Sequence, residues 1–370
     1  MNHDLLTYRI AFASIRGMGY DLARKILEVI PSEHDFFEMP EAQLKQLIGS
    51  NNRILDSNYR NECLEKAKRE HDFVVEKGIQ VSYFTDTDYP ARLAQASDSP
   101  ILLYSIGTCD MNATRMVSIV GTRRMTEYGR HFCEKLIADL AQMLPGTVIV
   151  SGLAYGVDIC AHRSALKHGL PTIGVQARGL NKIYPSNHRN DAAHIVHQGG
   201  RIVSDYTSQD EIHKGNFVAR NRIIAAMTDC TIVVESAEKG GALITANIAA
   251  SYNRDVFALP GRISDEYSKG CNKLIMNNQA GLISSAADLL NAMGWESVNK
   301  ESEKRELELF PQLNKEETAI IELIKQKGEA HVNHFTESLG MPIYKVMSTL
   351  VELECRGLVM TMPGCRYRLT

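Results

Sequence analysis

The sequence predicts an α/β protein whose mainly parallel sheet is covered by helices on both faces, with a small helical domain before it and a winged-helix domain after it. Three observations lead to this fold class. Short apolar runs alternate with helical segments between about residues 115 and 290. The runs are continuous rather than alternating, which is typical of strands buried on both faces. Glycines follow the runs, and ligands of parallel sheets bind at such strand ends.

The segment 1–80 is predicted to be a helical domain of the helix-hairpin-helix or SAM type. Apolar residues recur there at helical spacing on both sides of Gly17 and Gly19. The glycines are either a simple tight turn or a place where backbone N–H groups approach a DNA phosphate.

The segment 81–295 is predicted to hold the sheet. Two short strands at 81–84 and 101–104 flank a turn. Five apolar strands with helices between them follow, at 117–120, 148–150, 172–175, 231–235 and 256–259.

The charge-dense segment 296–312 is predicted to be a linker. Residues 313–370 are predicted to form a winged helix from three amphipathic helices and a hairpin that turns at Pro363 and Gly364. Winged helices often bind DNA through the third helix. Here residues 311–370 carry seven Lys/Arg and seven Asp/Glu, and the third helix has a single cation, Lys345. This balance favours a protein-contact or packing role over DNA binding.

Charge composition points to one focused anion site. The 370-residue chain has a net charge of −3, which excludes a general polycation. Two local islands are basic: residues 115–135 carry five Lys/Arg and two acids, and residues 212–224 carry three Lys/Arg and no acid. A nucleic-acid site, if present, lies at these islands.

Cysteine usage and hydropathy indicate a reducing, cytoplasmic setting. The eight cysteines form no C-x-x-C pair, so neither a zinc ribbon nor a redox dithiol is predicted. No window approaches the ~20 apolar residues that span a bilayer. We expect no metal, no cofactor and no membrane association.

The segment 214–222 combines cations with one aromatic residue and is followed by an apolar run. It is either a solvated helix start or a nucleic-acid site in which Lys214 and Arg220 hold phosphates and Phe217 stacks on a base. Arg220 and Arg222 are two residues apart and cannot share a helix face. One of them therefore belongs to the scaffold, pairing with an acid such as Asp205.

Polar residues at the strand ends allow two further interpretations. Gly121 lets backbone amides face an anion, and Arg123 adds a cation beside it. Asp158 and His162 lie at i, i+4, as either an acid–base pair or a buried hydrogen-bonding unit. Glu235 is expected to orient Arg222 or the glycine loop.

The order and spacing of these motifs resemble the DNA-processing protein A family (DprA, also called Smf), in detail over residues 88–295 and in outline at both ends. The resemblance implies an extended Rossmann-like domain, a homodimer and no established catalytic activity. It further implies binding of single-stranded DNA and loading of RecA recombinase during natural transformation. The site residues that it implies are Gly121, Arg123, Ser151, Gly152, Lys214, Phe217, Arg220, Asn221, Gly241 and Thr245.

The chain departs from the family pattern at three places. Gly240 stands where the family usually has serine, which removes a hydroxyl donor. Arg178, in the stretch 176–179, adds a cation near the strand ends, and Asn181 replaces a usual aspartate. These changes affect the predicted fine geometry of the pocket rather than its existence.

Two functions compete at this point. The first is a non-catalytic protein that protects single-stranded DNA and loads RecA. The second is a nucleotide-processing hydrolase that uses Asp158, His162 and Glu235 on a Rossmann-like sheet. The chain lacks a Walker lysine motif and a G-x-G-x-x-G after its first parallel strand.

Overall fold

The computed structural model describes residues 3–49, 53–297, 313–362 and 364–369. The chain divides into two compact units, Met1–Val298 and Asn299–Thr370. The first unit contains both the predicted helical segment 1–80 and the predicted sheet segment 81–295, and the boundary between them stays a prediction. Of the linker predicted at 296–312, residues 298–312 lie outside the described residues.

The first unit begins with helices, as predicted. Their start and stop signals are local: the Asp56 side chain accepts the Tyr59 N–H at 2.7 Å at one helix start, and Gly78 ends that helix with φ +62°. The helices are α1 (His3–Ser14), α2 (Tyr20–Val29), α3 (Glu33–Glu38), α4 (Glu41–Ile48) and α5 (Ser57–Lys77).

A nine-stranded sheet forms the centre of the first unit. Its strands in chain order are β1 (Gln80–Tyr83), β2 (Leu102–Gly107), β3 (Met116–Val120), β4 (Val148–Ser151), β5 (Thr172–Val175), β6 (Arg201–Ser204), β7 (Cys230–Val233), β8 (Asp255–Ala258) and β9 (Gly281–Leu282). Their order across the sheet is β1-β2-β6-β5-β4-β3-β7-β8-β9. The pairs β1–β2 and β2–β6 are antiparallel, and all other pairs are parallel. The predicted mainly parallel α/β fold is confirmed.

Helices cover both faces of this sheet, as the continuous apolar strands require. The helices are α6 (Glu127–Met143), α7 (Val157–Lys167), α8 (Arg189–His197), α9 (Lys214–Ala226), α10 (Gly241–Ser251), α11 (Lys269–Met276) and α12 (Ala286–Met293). One core joins the sheet to α6, α7 and α12, and a second joins it to α9, α10 and α11.

Strand β6 is absent from the prediction. It is four residues long, starts at Arg201 and ends at the fully buried Ser204, so its sequence shows no apolar run. Pairing on both sides stabilises it, since it lies between the parallel β5 and the antiparallel β2.

In the residues that the structure describes, the second unit contains three helices and a small sheet. Its elements are α13 (Lys315–Lys327), β10 (Glu329–His331), α14 (Val332–Leu339), α15 (Ile343–Cys355), β11 (Val359–Met362) and β12 (Arg366–Leu369). The predicted helices and hairpin strands are present, and β10 adds a third strand. Of the predicted turn residues, Pro363 lies outside the described part. The winged-helix assignment stays a prediction, and the cation of its third helix, Lys345, is paired with Glu316.

Cysteines and hydropathy add two findings. All eight cysteines are free, and six are buried. Within the described residues, no helix is both long enough and apolar enough to cross a bilayer.

Candidate nucleic-acid interface

The sheet has a topological switch point between β3 and β7. From β3 the chain moves through β4, β5 and β6 to one side, and it then returns to add β7 and β8 on the other side. Ligands of open α/β sheets bind outside the carboxyl ends of the strands at such a point.

A cavity of about 340 Å³ opens at this point, and we call it the switch-point cleft. Its walls are the loop after β3, the start of α7, one face of α9 and the loop that leads from β7 into α10. Seven of the ten predicted DNA-binding residues line it: Gly121, Arg123, Phe217, Arg220, Asn221, Gly241 and Thr245. Lys214, Ser151 and Gly152 do not.

Two predicted cations are available to an anion. Arg123 and Lys214 are exposed, and neither side chain has an acidic partner within the described residues. The Arg123 guanidinium lies 5.5 Å from the centroid of the half-buried Phe217 ring. A cation over an aromatic ring places the phosphate-binding and base-stacking groups side by side.

Arg220 differs from the prediction that it is a groove-facing DNA contact. Its side chain is only 4% exposed, and its guanidinium donates to the carbonyl oxygens of Gly152 and Val175. Its Nε donates to Asn221 Oδ1 at 3.2 Å. Arg220 therefore fixes the strand ends below the cleft and orients Asn221, whose amide N–H groups remain for a ligand.

The second strand end also belongs to the scaffold beneath the cleft. Ser151 is fully buried, and its hydroxyl donates to the Ile119 carbonyl at 2.6 Å, bridging β4 to β3. At Gly152 a Cβ atom would lie 2.5 Å from Cζ of Arg220, so glycine makes room for that guanidinium. The structure thus places these two residues as supports rather than lining groups of the main cleft.

The start of α10 faces the switch-point cleft without a side-chain cap. Gly240 is the N-cap residue, and Gly241 begins the helix. The first backbone N–H groups of a helix attract anions. Thr245 is nearly buried one turn later, at 2% exposure. A Cβ atom on Gly240 would meet the Ser236 hydroxyl at 2.2 Å. Ser236 thus occupies the space of the missing serine side chain and brings a hydroxyl to the cleft wall.

The structure also shows the contacts of Arg222 and of Arg178 and Asn181, the two other residues that depart from the family pattern. Arg222 pairs with Asp205 at 2.7 Å, as the scaffold interpretation predicted. Arg178 is absent from the lining of the switch-point cleft, so it neither widens nor crowds that cavity. The Asn181 amide donates to the Ser208 carbonyl at 2.7 Å and ties two loops together.

The three groups of the hydrolase hypothesis are engaged in the scaffold. His162 is fully buried and bonded to Thr172 at 2.7 Å, and burial lowers its pKa to about 3. Burial raises the pKa of Asp158, whereas the charge of Arg220 acts against this shift. Glu235 accepts hydrogen bonds from the Thr126 N–H and hydroxyl, so it orients the loop after β3 rather than Arg222.

Two tyrosines that are partly exposed stand beside the cleft. Tyr184 is 43% exposed, and its ring centroid lies 5.3 Å from that of Phe217. Tyr155 is 44% exposed and stands edge-on to His188. Both tyrosines, Phe217 and Arg123 line one small adjoining cavity. Tyr184 lies near Phe217 because of the path of the loop after β5, so no local sequence signal predicts this contact.

Sheet order and cleft define the class of protein: a Rossmann-like α/β protein with a cleft at its switch point. The family model for DNA recombination-mediator protein A matches residues 80–294, and the chain belongs to this family.

Known proteins resemble the chain in both sequence and fold. Protein Smf of Synechocystis sp. is 29% identical over 98% of both chains. The structure of DNA processing protein A from Streptococcus pneumoniae matches with a TM-score of 0.64 and 30% identity, over 79% of this chain and 97% of that one. DNA processing protein A from Helicobacter pylori, described for its single-stranded DNA binding mode, matches with a TM-score of 0.52 and 34% identity, over 58% of this chain and 95% of that one.

Proposed function

We propose that the protein binds single-stranded DNA in the switch-point cleft. The observation that carries this proposal is the Arg123 guanidinium, which has no acidic partner in the described part of the chain, lying over Phe217 near the start of α10, where no side chain caps the helix. Cations and helix N–H groups suit phosphates, and an aromatic ring suits any base. The single-stranded DNA binding described for the H. pylori relative supports the same ligand.

A single strand fits this site better than a duplex does. Stacking on Phe217 or Tyr184 needs a free base face, which a duplex hides within its own stack. We expect a fluorescein-labelled single strand to bind more tightly than the duplex of the same sequence, with affinity that falls as salt rises. Fluorescence anisotropy at two salt concentrations measures both effects. Equal affinity for the two forms would argue against the proposal.

The exposed tyrosine beside Phe217 gives a sharper prediction. Tyr184→Ala is expected to cost about 1–3 kcal/mol of binding free energy through lost stacking, and Tyr184→Phe should retain most of it. Tyr128→Ala is the matched control, because Tyr128 is 51% exposed but lines a different cavity. Titrations of one single-stranded oligonucleotide compare the three variants. Equal losses of binding free energy for Tyr184→Ala and Tyr128→Ala would contradict base stacking by Tyr184.

We also propose that the protein acts without catalysis. The bonding of Glu235 to Thr126 and the neutral, buried state of His162 support this. Purified protein should leave a panel of nucleotides unchanged. Turnover that Glu235→Gln abolishes would instead favour the hydrolase.

We further propose that a homodimer loads RecA recombinase on the bound strand during natural transformation. The two-residue strand β9 ends the sheet, and Leu282 on it is 54% exposed; Met276, at the end of the preceding helix α11, is 74% exposed. An edge strand with exposed apolar side chains suits pairing with a second copy. Light scattering should show a dimer for the wild type and a monomer for Leu282→Lys. RecA filament formation on protein-bound single strands tests the loading step separately.

A further inference from the structure

Two buried cysteines meet between neighbouring helices on one face of the sheet. Cys133 lies on α6 and Cys160 on α7, and both residues belong to the core that these helices form with the sheet. Their two thiols share a hydrogen bond. The thiols therefore already point toward each other, which a disulfide requires. They are distant in the chain, so no C-x-x-C spacing marks them in the sequence.

Cys160 can be reached from outside the core, whereas Cys133 is enclosed. A cavity of about 250 Å³ opens between α6 and α7, and Cys160 lines it together with Arg130, Glu134 and Ser164. Cys160 is 7% exposed. Cys133 is 0% exposed and is absent from the lining of this cavity. A molecule as small as hydrogen peroxide therefore reaches Cys160 first.

Hydrogen bonding gives the accessible thiol the greater thiolate character. The bond with Cys133 lowers the pKa of the Cys160 thiol, and a bond with Ser164 acts in the same direction, whereas burial and the charge of Glu134 act against it. The same thiol–thiol bond, together with burial, raises the pKa of Cys133. Because the thiolate is the reactive form, Cys160 is the nucleophile of the pair and Cys133 holds the proton.

The two helices that carry the pair both begin at the loop after β3, which carries Arg123. At the start of α6 the Thr126 hydroxyl accepts the Gly129 N–H at 3.3 Å. At the start of α7 the Val157 N–H donates to the Thr122 carbonyl at 3.2 Å. A covalent bond between α6 and α7 therefore joins two supports of this loop.

We propose that Cys133 and Cys160 form a reversible disulfide when the protein is exposed to hydrogen peroxide, and that this bond stabilises the fold by joining α6 to α7. The Cys160 thiolate attacks one peroxide oxygen, the O–O bond breaks, and the other oxygen leaves as hydroxide, which takes up a proton to become water. The resulting sulfenic acid is attacked at sulfur by Cys133, which loses its proton as the S–O bond breaks and a second water leaves. Two thiols are thereby oxidised to one disulfide, and one peroxide is reduced to two waters.

Linkage mapping tests this pair. The full-length variant Cys355→Ser/Cys365→Ser lacks the two exposed cysteines and keeps the six buried ones. It is treated with hydrogen peroxide, its remaining thiols are alkylated in urea, and its peptides are analysed by mass spectrometry. We expect the loss of two thiols, a peptide pair linked through Cys133 and Cys160, and recovery of both thiols with dithiothreitol. Unmodified buried thiols, or linkage of Cys160 to a different cysteine, overturns the proposal.

Single substitutions in the same background test the order of the steps. Cys133→Ser should leave a sulfenic acid on Cys160 that dimedone traps, and Cys160→Ser should protect Cys133 from oxidation. Cys230→Ser is the matched control, because Cys230 is a fully buried thiol of the same core, and the linked peptide should still form in it. Oxidation of Cys133 in Cys160→Ser as fast as in the parent contradicts the assigned order. The linkage map of the parent needs no core substitution, so it decides the proposal however these variants fold.

Thermal melting tests the effect of the bond. The linked protein should melt roughly 5 °C above the reduced protein, because closing the segment 133–160 restricts the unfolded chain. Peroxide-treated Cys133→Ser should show no such rise. An unchanged or lower Tm for the linked protein would contradict the stabilising role of the disulfide.

Discussion

Replacing Arg220 with alanine is expected to lower the free energy of unfolding by about 2–6 kcal/mol, because two buried carbonyl oxygens are left without a donor at about 1–3 kcal/mol each. The guanidinium donates to the carbonyls of Gly152 and Val175. Its charge also opposes the rise in pKa that burial imposes on Asp158. Without it, two buried carbonyl oxygens lose their donor, and the buried carboxyl of Asp158 loses a nearby positive charge. Urea unfolding monitored by circular dichroism measures the change.

Two further variants identify the cause of this loss. Arg123→Ala, at an exposed site, should change stability by no more than about 0.5 kcal/mol. Arg220→Ala/Asp158→Asn should recover part of the stability, because the second substitution removes the buried carboxyl. Wild-type stability of Arg220→Ala would show that the guanidinium is not a scaffold group and would return it to the list of DNA contacts.

The second large effect concerns DNA affinity. Arg123→Ala/Lys214→Ala is expected to weaken single-strand binding about 25-fold at ~0.1 M salt and to reduce the salt slope by about 1.4, since each phosphate contact on a single strand contributes about 0.7. Stability should stay unchanged because both side chains are exposed. Titrations at several salt concentrations yield the slope directly.

Phe217→Ala provides the contrast to this pair. It should cost about 1–3 kcal/mol of binding with little change in slope, because stacking releases no counterions. The charge-matched control is Arg24→Ala/Lys25→Ala, which removes two exposed cations of α2 that do not line the switch-point cleft. This control should bind DNA as the wild type does. If this control and Arg123→Ala/Lys214→Ala lose affinity equally, DNA affinity depends on the net charge of the protein and not on contacts in the switch-point cleft.

The sequence predicts the sheet and the position of the cleft well, because both depend on short-range patterns. Continuous apolar strands ending in glycine identify β3, β4, β5, β7 and β8. Parallel pairing then brings their carboxyl ends to one edge. The same reasoning anticipates the Arg222–Asp205 pair from the spacing of the two arginines in one helix.

The individual roles of side chains depend on contacts that are distant in the chain. In the sequence, Arg123 and Arg220 both resemble cations that are free to bind DNA. Arg220 is nevertheless buried, because its guanidinium donates to carbonyl oxygens of β5 and of the residue after β4. Tyr184 reaches Phe217 only through the fold of the loop after β5. Strand β6 depends on pairing with two neighbours and has no hydrophobic signal of its own.

Photocrosslinking tests the central claim most directly. A single-stranded oligonucleotide containing 5-iododeoxyuridine is irradiated on the full-length protein, and mass spectrometry identifies the modified residue. We predict crosslinks at Phe217 and Tyr184, the exposed or half-exposed rings at the switch-point cleft. Crosslinks confined to the second compact unit, or an unchanged pattern in Arg123→Ala/Lys214→Ala, would contradict binding of the strand in this cleft.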